Sequence, residues 1–132
     1  MRTTLIGFGL AALTAGAAMA GSLDAYRWRS RVLVLSAPDS ADPDLRAQRA
    51  ALGPMRGAAA ERDLVVLEAI GDGAEARRLR THLSLPAGEF RAVLVGKDGG
   101  AKLKAAAPIP PQTLFATIDA MPMRRGEIQG RR

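Results

Sequence analysis

The sequence predicts an α/β domain: a four-stranded mixed sheet packed between helices, in the order β-α-β-α-β-β-α. Three observations carry this. Two apolar runs of strand length, residues 32–35 and 64–67, are separated by a stretch with helical spacing. An Asp-Gly-Gly turn at residues 98–100 joins two further strand-like segments. Two more stretches, around residues 76–83 and 114–121, repeat apolar residues at the spacing of one helix face.

Taken in order, the lead-in from Gly21 to Arg31 sets Tyr26 and Trp28 beside Arg27 and Arg29. In an extended segment both rings would share one side. They then either close one end of the core or stack on a ligand, and the aromatic content of 4% favours the core, which has few other large side chains. Val32, Leu33, Val34 and Leu35 form an unbroken run, the pattern of a strand buried on both faces. The loop Ser36-Ala37-Pro38-Asp39-Ser40 ends it.

Asp42 and Pro43 open a helix, the first by capping free N–H groups and the second by fitting the first turn. Leu45 and Leu52 lie seven apart on its inner face, Pro54 interrupts it, and a short continuation reaches Ala60. Residues 64–67 form a second run of the same kind and lead to the turn Gly71-Asp72-Gly73. In the helix that follows, Ala76, Leu79 and Leu83 share a face while Arg77, Arg78 and Arg80 point elsewhere.

Strands at residues 90–95 and 101–105 are joined through Gly96-Lys97-Asp98-Gly99-Gly100, whose glycines accept the positive φ of a tight turn. Leu114, Ile118 and Met121 define a last helix ended by Pro122, and residues 123–132 read as a basic, frayed tail. This is the element order of the thioredoxin core, a three-layer sandwich.

The first twenty residues read as a signal peptide: Arg2, an apolar stretch over residues 5–13, and Ala18-Met19-Ala20 before Gly21. Retention as an anchor is the alternative, since the uncharged stretch is about long enough to span a bilayer. A domain at residues 21–122 would follow, in the periplasm or outside the cell, with no span left after cleavage. The sequence holds no cysteine. Disulfides, thiol catalysis and a lipidated cysteine are therefore all excluded.

The net charge of +6 favours anionic partners without naming one. Nucleic acid is not expected, because no aromatic residues interleave with the basic ones. His82 is the one histidine, too little for a metal site, and reads as solvated surface. Gly96-Lys97-Asp98 lacks the glycine and hydroxyl residue of a phosphate loop, so no cofactor is expected. Lys97, Lys102 and Lys104 read as charges that keep an edge hairpin soluble.

Residues 26–35, 62–66, 95–100 and 118–124 resemble the bacterial family known as domain of unknown function 4174, over Leu23 to about Arg125. The specific parts are Gly96-Lys97-Asp98-Gly99-Gly100 and Ile118-Asp119-Ala120-Met121-Pro122-Met123-Arg124. Related domains occur in secreted sushi-repeat matrix proteins. The resemblance implies a thioredoxin-like fold and an exported setting, with no established activity.

It also implies where a thioredoxin-like enzyme would keep its reactive cysteines: the loop after the first strand, facing a cis-proline before the third. Here that loop carries Ser36, Asp39 and Ser40, and the facing position is Arg91. Arg91 with Asp39 and the two hydroxyls would hold an anionic group, or the two charges would pair and close the site. The expected function is thus a redox-inactive binding module for an unidentified protein or anionic ligand. The rivals are a non-thiol enzyme using Ser36, Asp39 and Arg91, and a surface protein whose basic tail meets anionic lipid or glycan.

Overall fold

The structure, a computed structural model, describes residues 23–130. The expected signal peptide lies outside the described residues. A turn of 3-10 helix, Leu23–Tyr26, leads into strand β1, Arg31–Ala37. Helix α1, Pro43–Leu52, runs through a 3-10 turn, Gly53–Met55, into the short helix α2, Arg56–Glu61. Strand β2 (Leu64–Ile70), helix α3 (Ala74–Leu83), strands β3 (Arg91–Val95) and β4 (Ala101–Ala105), and helices α4 (Pro111–Asp119) and α5 (Pro122–Gly130) complete the chain.

The four strands form one mixed sheet in the order β2-β1-β3-β4. β2 runs parallel to β1, with Arg31 opposite Leu64; β3 runs antiparallel to β1, with Ser36 opposite Arg91; β4 is antiparallel to β3. This is the α/β class and mixed four-stranded sheet expected from the sequence, in thioredoxin-like order.

Strand periodicity builds the layers. Leu33, Leu35, Ala92 and Leu94 pack with Leu45, Ile109, Leu114 and Ile118 on the α1 and α4 side. Val32, Val34, Val93 and Val95 face the other way, against Ala76, Leu79 and Leu83 of α3. The side chains of one strand alternate between faces, so a central strand covered on both sides is apolar wherever no internal partner meets a polar side chain. All seven residues of β1 are buried, Val32 to Leu35 among apolar neighbours and the polar Arg31 and Ser36 against hydrogen-bond partners at its two ends.

β2 is not of the same kind. It lies at the sheet edge, and Val66 is 42% exposed. The apolar run is alike in both strands because a local pattern does not encode which strand becomes central.

Asp42 caps α1 as expected, its carboxylate accepting from the Leu45 N–H at 3.0 Å. Gln48, on the inner face of α1, fastens the loop before α4: its Nε2 donates to the Ile109 carbonyl (2.9 Å) and its Oε1 accepts from the Ile109 N–H (2.7 Å).

Three further sequence expectations need correction. Residues 123–130 of the segment read as a frayed tail lie in helix α5, held by buried Arg124. Arg80 does not point to solvent; it is buried with Leu79 and Leu83. The lead-in is a 3-10 turn instead of an extended stretch, so Tyr26 and Trp28 part company. Tyr26 packs against the α3-side core, while Trp28 is 63% exposed.

Candidate functional site

At the end of the sheet where β1 and β2 finish, the expected anion site is not assembled. Ser36 is fully buried, and its Oγ accepts from Arg80 Nε at 2.8 Å. Arg80 also donates to the carbonyls of Gly71 (2.6 Å), Ala37 (3.1 Å) and Ala69 (2.9 Å). One guanidinium thus ties the ends of two parallel strands, and no carboxylate lies within 4.0 Å of it among the described residues. Asp39 turns back to accept from the Ala41 N–H. Arg91 pairs with Glu89 at 3.1 Å and donates to the Phe90 carbonyl, so the structure does not join it to Asp39. Ser40 is exposed in the loop. Of Ser36, Asp39, Ser40 and Arg91, the sheet register pairs Ser36 with Arg91 across β1 and β3, while Asp39 and Ser40 follow one another in the loop.

The opposite end of the sheet holds a closed network of charges. Arg31, 1% exposed, donates from both terminal nitrogens to Glu127 of α5 (3.2 and 3.1 Å) and to the Arg62 carbonyl. Lys97 Nζ reaches Glu127 (2.7 Å) and Asp63 (2.9 Å). Arg62 grips Asp119 with two bonds, 3.0 and 2.9 Å, and lies 4.6 Å from the centre of the Phe115 ring. Arg124 joins Asp119 to Glu61. Four cations thus face four carboxylates.

The electrostatics follow from these contacts. Hydrogen bonds from Arg62, helped by Arg124, hold the Asp119 carboxyl below the usual carboxylate range. Burial pushes Glu127 up, but the combined pull of Arg31 and Lys97 outweighs it and leaves the group lowered. Lys97 is accordingly a buried structural charge, not a solubilising one. Lys104, the third of those lysines, spends its ammonium on the Leu83 carbonyl.

Beside this network lies an open, mainly apolar groove of about 520 Å³, walled by Trp28, Ala120, Met121, Pro122 and Met123 and also lined by the charged Lys97, Asp98 and Lys102. Trp28 is held there by its backbone: its N–H donates to the Lys97 carbonyl at 2.6 Å and its φ is +66°. That left-handed conformation is unfavourable for a bulky side chain. Met123 is 43% exposed.

Two other hollows are different in kind. One runs between α1, α2 and edge strand β2, spanned by the Arg49–Glu68 pair. The other is a basic surface on α3 formed by Arg77, Arg78, Thr81 and exposed His82.

The sequence signals for the buried arginines and the groove were weak. Arg31 and Arg62 abut apolar runs and Arg124 follows Met123, but nothing local says that they meet. The four segments that carried the family resemblance are the ones this end of the sheet brings together: Arg31, Arg62 and Asp63, Lys97, and Asp119 with Arg124.

The fold and its two sheet ends define a class: an α/β domain with a mixed four-stranded sheet, consistent with a thioredoxin-like fold, in which Arg80 and Ser36 are buried at one sheet end and a charge network closes the other. The chain belongs to the family described as Domain of unknown function (DUF4174), which it matches over residues 22–127. No curated protein and no solved structure matches it.

Proposed function

We propose that the protein is an exported, redox-inactive recognition module that binds through the groove of Trp28, Met121 and Met123. The observation that carries this reading is Trp28: a large aromatic, exposed, in a strained backbone conformation, at the wall of an apolar groove. Strain of this kind persists only where surrounding structure enforces it, and it concentrates at binding sites. Methionine lends such a surface adaptability.

Catalysis is less well supported. The Ser36 hydroxyl is buried against a cation, and a serine nucleophile needs a base within reach and a path for substrate. The absence of cysteine removes thiol–disulfide exchange. Export rests on the sequence of residues 1–20, and is checked by the N-terminal mass of protein recovered from the periplasm.

The test is a photo-crosslinking residue placed at Met123 and, as a control, at exposed His82, in intact cells. A discrete adduct from position 123 and none from position 82, whether to protein or to lipid, is the expected result. No adduct at 123, or equal adducts at both, rules the groove out as a recognition surface.

A further inference from the structure

We infer that the occupant of this groove is the surface of an anionic lipid bilayer, with Trp28 and Met123 entering the interface. The inference rests on the reading of the groove as a recognition surface and names what it recognises.

Three features of the groove point to lipid. The first is side-chain chemistry. Trp28 and Met123 are two of the four large apolar side chains exposed among the described residues, and both stand in the same groove. An indole with an apolar body and a polar N–H suits the headgroup boundary of a membrane.

The second is charge. Arg27 and Arg29 flank Trp28 and are exposed, and Lys102 lines the groove. Arg27 pairs with Asp24, and Lys102 pairs with Asp98, which also lines the groove, so these two pairs cancel and the uncompensated charge beside Trp28 is that of Arg29. Arg29 has no carboxylate within 4.0 Å among the described residues. Helix α5 also starts at the groove, with no acidic residue in its first turn, so its positive end favours an anion there.

The third separates lipid from an extended peptide. A peptide laid along a surface gains much of its affinity from backbone hydrogen bonds. The groove offers few. The N–H groups of Trp28, Gly96, Ala120 and Met121 already donate to carbonyls of the domain itself. What is left is apolar side-chain surface with the uncompensated Arg29 beside it, which a bilayer can meet without a backbone partner.

The test uses the exported form proposed above, residues 21–132, with vesicles of phosphatidylcholine alone, or of phosphatidylcholine and phosphatidylglycerol in equal parts. Trp28 is the chain's one tryptophan, so its emission reports on the groove itself. The expected result is a shift to shorter wavelength with the anionic vesicles, reversed by salt and absent with phosphatidylcholine alone.

Met123→Asp should abolish the shift. Arg29→Gln should weaken binding by about fivefold. Circular dichroism and the urea midpoint establish that each variant is folded.

No shift at low salt overturns the lipid inference; if Met123 still crosslinks to a protein, the groove stands as a recognition surface for that protein. Vesicle binding that none of these substitutions weakens, with Trp28 emission unmoved, overturns both assignments.

Discussion

Glu127 of the last helix closes over Arg31 of the first strand, its two carboxylate oxygens 3.2 and 3.1 Å from the terminal guanidinium nitrogens. These residues lie at opposite ends of the domain's sequence. Their pairing turns a basic C-terminal segment into a docked helix. Arg31 Nε has no acceptor among the described residues, and a buried donor left unpaired costs about 1–3 kcal/mol.

Removing Glu127 should therefore be severe. Glu127→Ala leaves Arg31 buried without its counter-ion, and is expected to lower stability by about 3 kcal/mol in urea unfolding. Amide exchange in α5 should accelerate with it. Pairing Arg31→Met with Glu127→Leu should recover most of the loss, because an apolar pair needs no charge compensation. A loss for Glu127→Ala below about 0.5 kcal/mol, the range of ordinary surface substitutions, would show that α5 is held by other contacts.

The same network sets an acid limit. Asp119 and Glu127 have lowered folded-state values, so protons bind more tightly to the unfolded chain. Their stabilisation is complete above the unfolded carboxylate value of about 4 and is lost as pH falls through the lower folded values. The urea midpoint should stay flat from neutral pH down to about 5 and then drop, and Glu127→Gln should flatten that drop. A midpoint that rises on acidification would contradict this sign.

At the other end of the sheet, Arg80→Met should destabilise by about 3 kcal/mol or more. It removes the donor to the buried Ser36 hydroxyl and a donor to the Ala69 and Gly71 carbonyls, while the Ala37 carbonyl keeps the Gly71 N–H; a buried group left unpaired costs about 1–3 kcal/mol. Arg80→Lys should rescue little, since one ammonium cannot span acceptors placed for a planar fork. Ser36→Ala should be mild, about 1 kcal/mol. Chemical denaturation of the three variants ranks them.

Trp28 separates stability from binding. Glycine accepts φ of +66° without steric penalty, so Trp28→Gly should leave stability unchanged or raise it by about 1 kcal/mol. Vesicle sedimentation should fall at the same time. A large loss of stability would instead make Trp28 a structural residue.

Much of the scaffold was legible before the structure. The apolar run of β1, the Asp42 cap of α1, the interruption at Pro54 and the glycine turn between β3 and β4 all follow from local rules of spacing, capping and backbone freedom. Gln48 could have been found as well, three residues from Leu45 and four from Leu52 on the same helical stripe. Arg80 lies next to Leu79 in a helix whose other arginines are solvated, and no local rule distinguishes it from Arg77 and Arg78.

The amino-acid sequence by itself determined the element order as far as α4, the alternation that feeds two apolar layers, and the absence of thiol chemistry, because each depends on residue type or on neighbours within a few positions. Only the tertiary structure decided that β1 is central and β2 an edge, that Arg31, Arg80 and Arg124 are buried, and that Trp28 is not. An arginine goes inside only when acceptors converge on it, and here they come from positions up to 96 residues away. That convergence is a property of the folded chain, with no trace in any short stretch of it.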